Sequence, residues 1–369
     1  MSAENLEPNS SSINPNNIAN EIIHLQRKLE DIVQPYTKPI SSILPPEEKK
    51  VEVSRLYDDI DIEAYYDRFS SWEGTISKKS IKDWLNQFET ILDKNIADLL
   101  LKKFQFFSKS DVETGTRNLQ LKLLNILKDD EALRNKFYLD PKASVKNEAE
   151  MEKWFRNKVI RYARFPPPSK TSLESQDGLW GIYERSALTR TSCPDARKFD
   201  FLENHFKKAN PELDVFVFMD YTNGSGNQLS KCIKEINKLL LQYPQYQNSS
   251  FIFMYIVQSE SFSLKKIKLA PPKSETIFYE QMLYYKSSEI MKLLSDYQIT
   301  EAEYNAFIEK YCLLSSGKTD TGYDQSGSLT CHHYSCPNNT LPFFHKPSKN
   351  WTPLFRNSQT PSATPYKRK

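Results

Sequence analysis

Residues 214–241, DVFVFMDYTNGSGNQLSKCIKEINKLLL, decide the fold class of this chain. Val215 to Met219 is a short run of β-branched and aromatic residues closing on one acid, Asp220, the pattern of a strand buried on both faces of a parallel sheet. Leu229, Cys232, Ile233, Ile236, Leu239 and Leu240 then recur at three- and four-residue steps, which predicts a helix with one buried stripe. Between the two lie Thr222, Asn223, Gly224, Ser225, Gly226, Asn227 and Gln228, all small or amide-bearing. Asn223-Gly224 ordinarily signals a two-residue hairpin, but the helical period that follows makes the unit strand–loop–helix. In such a unit the loop N–H groups and the first helical turn converge on one spot and favour an anion. Glycine permits the positive φ that turns successive N–H groups into a concave nest. Asp220 faces the same crevice from the carboxyl edge of the sheet.

Two common phosphate loops fit poorly. A Walker loop needs Gly-Lys-Ser/Thr, whereas Gly226 is followed by Asn227-Gln228. A dinucleotide fingerprint needs a third glycine where Leu229 stands.

Working outward, 369 residues predict two domains, or one with an extension. A net charge of +3 argues neither for nor against nucleic acid. No apolar run approaches membrane-spanning length and no signal peptide is evident, so no membrane association and a cytoplasmic location are expected. Five cysteines, irregularly spaced, read as reduced thiols rather than a disulfide framework.

Residues 1–50 read as an Asn/Ser-rich tail, a short amphipathic stretch around Ile22 to Ile32, and a proline-bearing linker. From 51 to 165 the pattern is helical: Trp84, Leu85, Phe88 and Leu92, then Ile96 to Phe107, then Leu119 to Leu127, with Ser80 expected as an N-cap. A later helix is expected over Trp154 to Ile160, interleaved with Lys153, Arg156, Lys158, Arg161 and Arg164. Those basic residues leave nucleic acid open as a partner, though a solvated helix face accounts for them better. This region is expected to be a separate interaction domain, ended by Pro166-Pro167-Pro168. The second domain, 166–356, holds the central unit, an expected strand at Gly178 to Tyr183, a second buried strand at Ser250 to Val257 and an edge strand at Ile277 to Tyr279. Helices over Glu280 to Leu294 and Glu301 to Leu313 follow, and 357–369 reads as a flexible basic tail.

The carboxyl-terminal stretch GYDQSGSLTCHHYSCPNNTLPFFH, residues 322–345, is the second informative region. Asn338 and Asn339, bracketed by Pro337 and Pro342, sit in a turn that holds two amides at a defined point. Cys331, His332, His333, Cys336 and His345 demand a check for zinc. A strand over Leu329 to Tyr334 would put only Cys331 and His333 on one face, and no second cysteine pair completes a site, so no metal is expected.

The order of strand, Asp220 and GSG loop resembles the PRPP-binding loop of type I phosphoribosyltransferases. Together with the PNNTLP run and WTPLF at 351–355 it resembles a more particular group: the phosphoribosyltransferase-like domains with a carboxyl-terminal extension, associated with bacterial defence and conflict systems. The resemblance covers roughly the last half of the chain. It implies an α/β fold with a type I phosphoribosyltransferase-like parallel sheet flanked by helices, preceded here by a mostly helical domain. It implies binding of PRPP or a related phosphorylated ribose or nucleotide, with Mg²⁺. Asp220 matches the first of the family's two acidic residues and Tyr221 stands where the second is expected, so both are the implied catalytic positions. Gly224, Ser225, Gly226, Asn227 and Gln228 match the 5′-phosphate cradle, with Asn223, Asn338 and Asn339 as further substrate contacts; Gly224 occupies a position where some members carry a general base. Three functional classes stay open: a transferase displacing pyrophosphate towards an unknown acceptor, a non-catalytic sensor signalling through the helical region to a protein partner, and a pure interaction protein.

Overall fold

A computed structural model describes residues 76–355, apart from 144, 166–169, 189–198, 209, 212, 260–261, 263, 265–266, 268–269 and 334–335, together with Ile60, Tyr65 and Trp72. The expectations for 1–50, for Pro166 to Pro168 and for 357–369 lie outside the described residues.

Five strands form one wholly parallel sheet: β2 (Ile160–Arg164), β3 (Asp200–Phe201), β4 (Val215–Asn223), β5 (Ser250–Ser259) and β6 (Ser274–Met282), in the order β3-β2-β4-β5-β6. The continuous apolar runs of β4 and β5 are what this topology requires, since both faces are covered. Val215, Val217, Met219 and Tyr221 turn to a layer that includes α3 (Lys109–Asp129) and α6 (Lys170–Ser186). Phe216 and Phe218 turn the other way, onto Leu229, Cys232, Ile233, Ile236 and Leu240 of α8 (Asn227–Gln242). The fold is α/β with a parallel sheet flanked by helices, and β6 is an edge strand.

A third core is aromatic and gathers distant parts of the chain. It joins α1 (Lys78–Leu85) and α2 (Ile91–Lys103) to α9 (Ser288–Asp296), α10 (Glu301–Ser316), α11 (Pro342–His345) and the segment through Phe355. Phe88 sits among the rings of Trp84 at 4.9 Å, Tyr311 at 4.6 Å, Trp351 at 5.2 Å and Phe307 at 5.6 Å. The indole N–H groups of Trp84 and Trp351 both donate to the Phe343 carbonyl, at 3.3 and 2.8 Å. A short parallel pair, β1 (Gln105–Phe107) with β7 (Thr330–His332), ties the same two regions together.

Several expectations are corrected. The division near residue 165 does not occur: β2, from the helical region, pairs with β4, and the described residues belong to one compact unit, Val53–Lys369. Gly178 to Tyr183 is helical rather than extended, because Leu179, Ile182 and Tyr183 lie at helical spacing and bury against the sheet. The helix over 154–160 stops at Trp154, widens into a π turn at Phe155–Val159, and gives way to β2. The cap of α1 is Ser77, whose hydroxyl accepts from the Ser80 amide at 3.1 Å. Residues 280–282 end β6, and the next helix starts at Ser288 behind an N-cap at Ser287.

Candidate functional site

The sheet order changes direction at β2: β3 lies on one side of it and β4 on the other. In open parallel sheets such a point opens a crevice at the carboxyl ends of the strands, here those of β2 and β4. The loop that β4 delivers to this edge is Gly224-Ser225-Gly226, and Gly226 is the N-cap of α8 in the left-handed region, φ +79°. The cap position thus carries no side chain, and the first amides of a sixteen-residue helix begin at the sheet edge. Ser225 is exposed, and its hydroxyl accepts from the Asn227 amide at 3.4 Å. The Phe262 ring covers Gly226, where a Cβ would stand 2.5 Å from it.

Asp220 and Tyr221 part company. The Asp220 carboxylate turns to the α8 side, accepting from the Gln228 amide at 2.9 Å and from the Tyr221 backbone N–H at 2.8 Å. Gln228 is therefore bound up with Asp220 and braces the first turn of α8 against the strand end. Tyr221 turns to the opposite layer, 5% exposed, with its ring 5.0 Å from that of His332. Strand alternation produces this divergence. Asn223, buried, reaches Gln258 of β5 at 3.5 Å.

The second motif arrives at the same edge. Asn339 is 7% exposed and its side chain abuts Gly224, so that a Cβ there would overlap the Asn339 amide nitrogen. The turn holding it is fixed by its backbone: Ser328 N–H donates to the Asn339 carbonyl at 2.7 Å and Thr340 N–H to the Pro337 carbonyl at 3.0 Å. Gly322, φ +103°, lies so close that a Cβ would stand 2.8 Å from the Asn339 carbonyl oxygen. Asn338 does not join the loop. It is exposed and borders a separate shallow depression of about 380 Å³ with Asp320, Gly322, Tyr323, Gln325 and Lys346.

Three further residues stand at this edge: Thr222, read in the sequence only as part of the loop, His332, read only in the check for zinc, and Phe262, which no motif pointed to. His332 Nε2 lies 2.7 Å from Thr222 Oγ1, and burial, with His333 nearby, pushes the imidazole pKa down to about 3. Cys331 and Cys336 bring their sulfurs to 2.6 Å, both buried, as part of the segment that carries His332. Among the described residues no three His, Cys, Asp or Glu side chains come together as a metal site.

The two motifs that meet here, the GSG loop and the PNNT turn, are separated by more than 110 residues in sequence, and one family model spans both: PRTase-CE, over residues 81–357. The chain belongs to the PRTase-CE family. No curated protein and no solved structure matches it. The PRTase-CE match begins inside α1, so the helices once read as a separate domain are part of the family's own phosphoribosyltransferase-like fold. It also takes in the carboxyl-terminal segment through Phe355 that completes the aromatic core.

Proposed function

We propose that this PRTase-CE protein binds a phosphorylated ribose, as PRPP or a nucleotide, at the carboxyl edge of β4. The observation that carries the reading is Gly226: a left-handed glycine at the N-cap of α8, directly beyond the strand end and beneath the Phe262 ring, a position that aims the backbone N–H groups of the first helical turn at the sheet edge. In this reading Gly224 to Gln228 cradle the 5′-phosphate, and Asn339 closes the site from the carboxyl-terminal extension. The ribose lies towards Asp220 and Asn223. Transfer, where it occurs, would rest on positioning the ribosyl carbon and on stabilising charge there.

Mg²⁺ accompanies PRPP in the family resemblance, but the donor set does not make a protein-held site. Asp220 is the only acid between Asp214 and Glu235, and its two oxygens already accept from Gln228 and Tyr221. A magnesium ion would come with the ligand's own phosphate oxygens.

A sensor is the second reading, and Tyr221 favours it. The residue at the second acidic position is buried in the opposite layer, so no pair of side chains at 220–221 can grip both ribose hydroxyls. Calorimetric titration with PRPP, ribose 5-phosphate and nucleoside monophosphates, each with Mg²⁺ or EDTA, tests the binding reading; absence of binding by all of them rejects it. Pyrophosphate release from PRPP across a panel of bases separates transferase from sensor.

A further inference from the structure

The acid missing at position 221 raises the question of what meets the ribose in its place. His332 is 5% exposed, its Nε2 meets Thr222 Oγ1 at 2.7 Å, and its Nδ1 is buried with no hydrogen-bond partner among the described residues. Of the two neutral tautomers, one leaves a buried N–H orphaned and the other leaves only a bare nitrogen lone pair. Orphaned buried N–H groups are the rarer and costlier case, so the proton belongs on Nε2. His332 then donates to Thr222, and the Thr222 hydroxyl hydrogen is left to point elsewhere. Thr222 is half-buried at the end of β4, two residues before Gly224, and among the described residues no second acceptor holds that hydrogen. Asn339 adds an independent sign. It is more than nine-tenths buried, with the amide tip against Gly224; among the described residues its nitrogen finds only the Met282 sulfur, at 3.4 Å, and its carbonyl oxygen finds no partner. An unsatisfied amide this deep beside the loop is costly unless a ligand completes it.

Resting on the phosphorylated-ribose reading, we infer that the sugar is received by neutral groups, Thr222 oriented by His332 together with Asn339, and that ribose 5-phosphate binds without a divalent cation. Thr222 donates to a ribose hydroxyl oxygen, and the Asn339 amide offers both a donor and an acceptor. These neutral groups need no cation between them, unlike adjacent carboxylates, which repel unless a metal or ligand intervenes. Burial keeps His332 uncharged across the physiological range, so it acts as a positioning residue and not as an acid or base.

The test is calorimetry with ribose 5-phosphate, 2-deoxyribose 5-phosphate and inorganic phosphate, in EDTA and in Mg²⁺, on the full chain. Wild type is expected to bind ribose 5-phosphate with the same affinity in both buffers. Thr222→Val, nearly isosteric, is expected to lose about tenfold for ribose 5-phosphate while keeping inorganic phosphate, the loss of one hydrogen bond. Thr222→Ser restores the hydroxyl and the affinity. Binding that requires Mg²⁺, or unchanged affinity in Thr222→Val, overturns the neutral-group inference and leaves the phosphate cradle standing. No binding of ribose 5-phosphate or phosphate by folded wild type overturns both.

Discussion

The sheet and the aromatic core are built by opposite means. In the sheet, β4, its loop and α8 are contiguous, and each strand carries its own apolar signature. In the aromatic core no segment is self-sufficient: Trp84 and Phe88 from one end of the domain need Phe307, Tyr311, Phe343 and Trp351 from the other. The difference teaches where an extension ends and a fold begins. Residues 342–355 add no domain of their own; they fill a core shared with α9 and α10 and with α1 and α2, the latter pair more than 230 residues earlier.

The sharpest way to break that comparison is to remove Phe88. Truncating a buried phenylalanine among four or more rings costs about 3–5 kcal/mol. Phe88→Ala is therefore expected to lower the stability of the whole unit, with far-UV and near-UV signals lost in one coincident urea transition. A second transition of wild-type midpoint, left over from an intact sheet, would show that the aromatic core is an independent domain after all.

What was legible in the chain follows the same line. Val215 to Leu240 could be read because strand, loop and helix announce themselves within one window, and the structure keeps all three. The boundary near 165 was misread because a helical stripe says that a face is buried but not against what. Leu119 and Leu123 of α3 bury against the same layer as Val217 and Met219, and only tertiary contact reveals it. At the site, Gly226 and Asn339 were visible as unusual residues. Thr222 and His332 were not, since a threonine and a histidine 110 positions apart carry no shared local signal. The Cys/His spacing around His332 did draw notice, but towards metal; what brings the imidazole to the crevice is the β1–β7 pairing.

The next largest effect is expected on the sheet side, at Tyr221. Restoring an acid there by Tyr221→Asp places a carboxylate in the apolar layer beside His332, facing away from Asp220. Burial of an uncompensated charge costs several kcal/mol, and about 3 kcal/mol of lost stability is expected at neutral pH, recovered in part as the carboxyl is protonated. A variant as stable as wild type with tighter Mg²⁺-dependent PRPP binding would mean that position 221 can turn into the crevice.

A smaller effect separates backbone strain from packing at the loop. Gly226 and Gly317 have nearly the same φ, +79° and +72°, but only Gly226 is covered, by Phe262, whereas nothing lies within 4 Å of a Cβ at Gly317. Alanine at either position pays roughly 1 kcal/mol for a left-handed conformation. Gly226→Ala adds displacement of the Phe262 ring, and is expected to cost roughly 1–2 kcal/mol more by thermal or urea denaturation. Equal losses in the two variants would show that Phe262 moves aside freely and that the cradle lies open.

The smallest effect asks whether both regions feel acid as one unit. Burial holds His332 at the sheet edge, at about 3, and His345 in the aromatic core, at about 4, below their ordinary 6.5, and lowers His205 as well. His345 Nε2–H donates to the Thr340 carbonyl at 3.1 Å, which favours the charged ring slightly but does not offset its complete burial. The unfolded chain takes up these protons near pH 6.5 while the folded chain refuses them, so the unfolded state binds more protons over the window from 6.5 downwards. Stability is thus fully present above pH 6.5 and falls as pH drops towards 4 and then 3. Between pH 7 and pH 6 each ring is expected to account for somewhat under about 1 kcal/mol of that fall. His345→Gln keeps a donor for Thr340 and should remove its share; His332→Gln should remove the other, and the two savings should add because the rings are not in contact. If either substitution leaves the pH 7 to pH 6 difference in urea stability unchanged, that histidine is already protonated in the folded protein, or its region opens without the rest and the single-unit reading fails at that point.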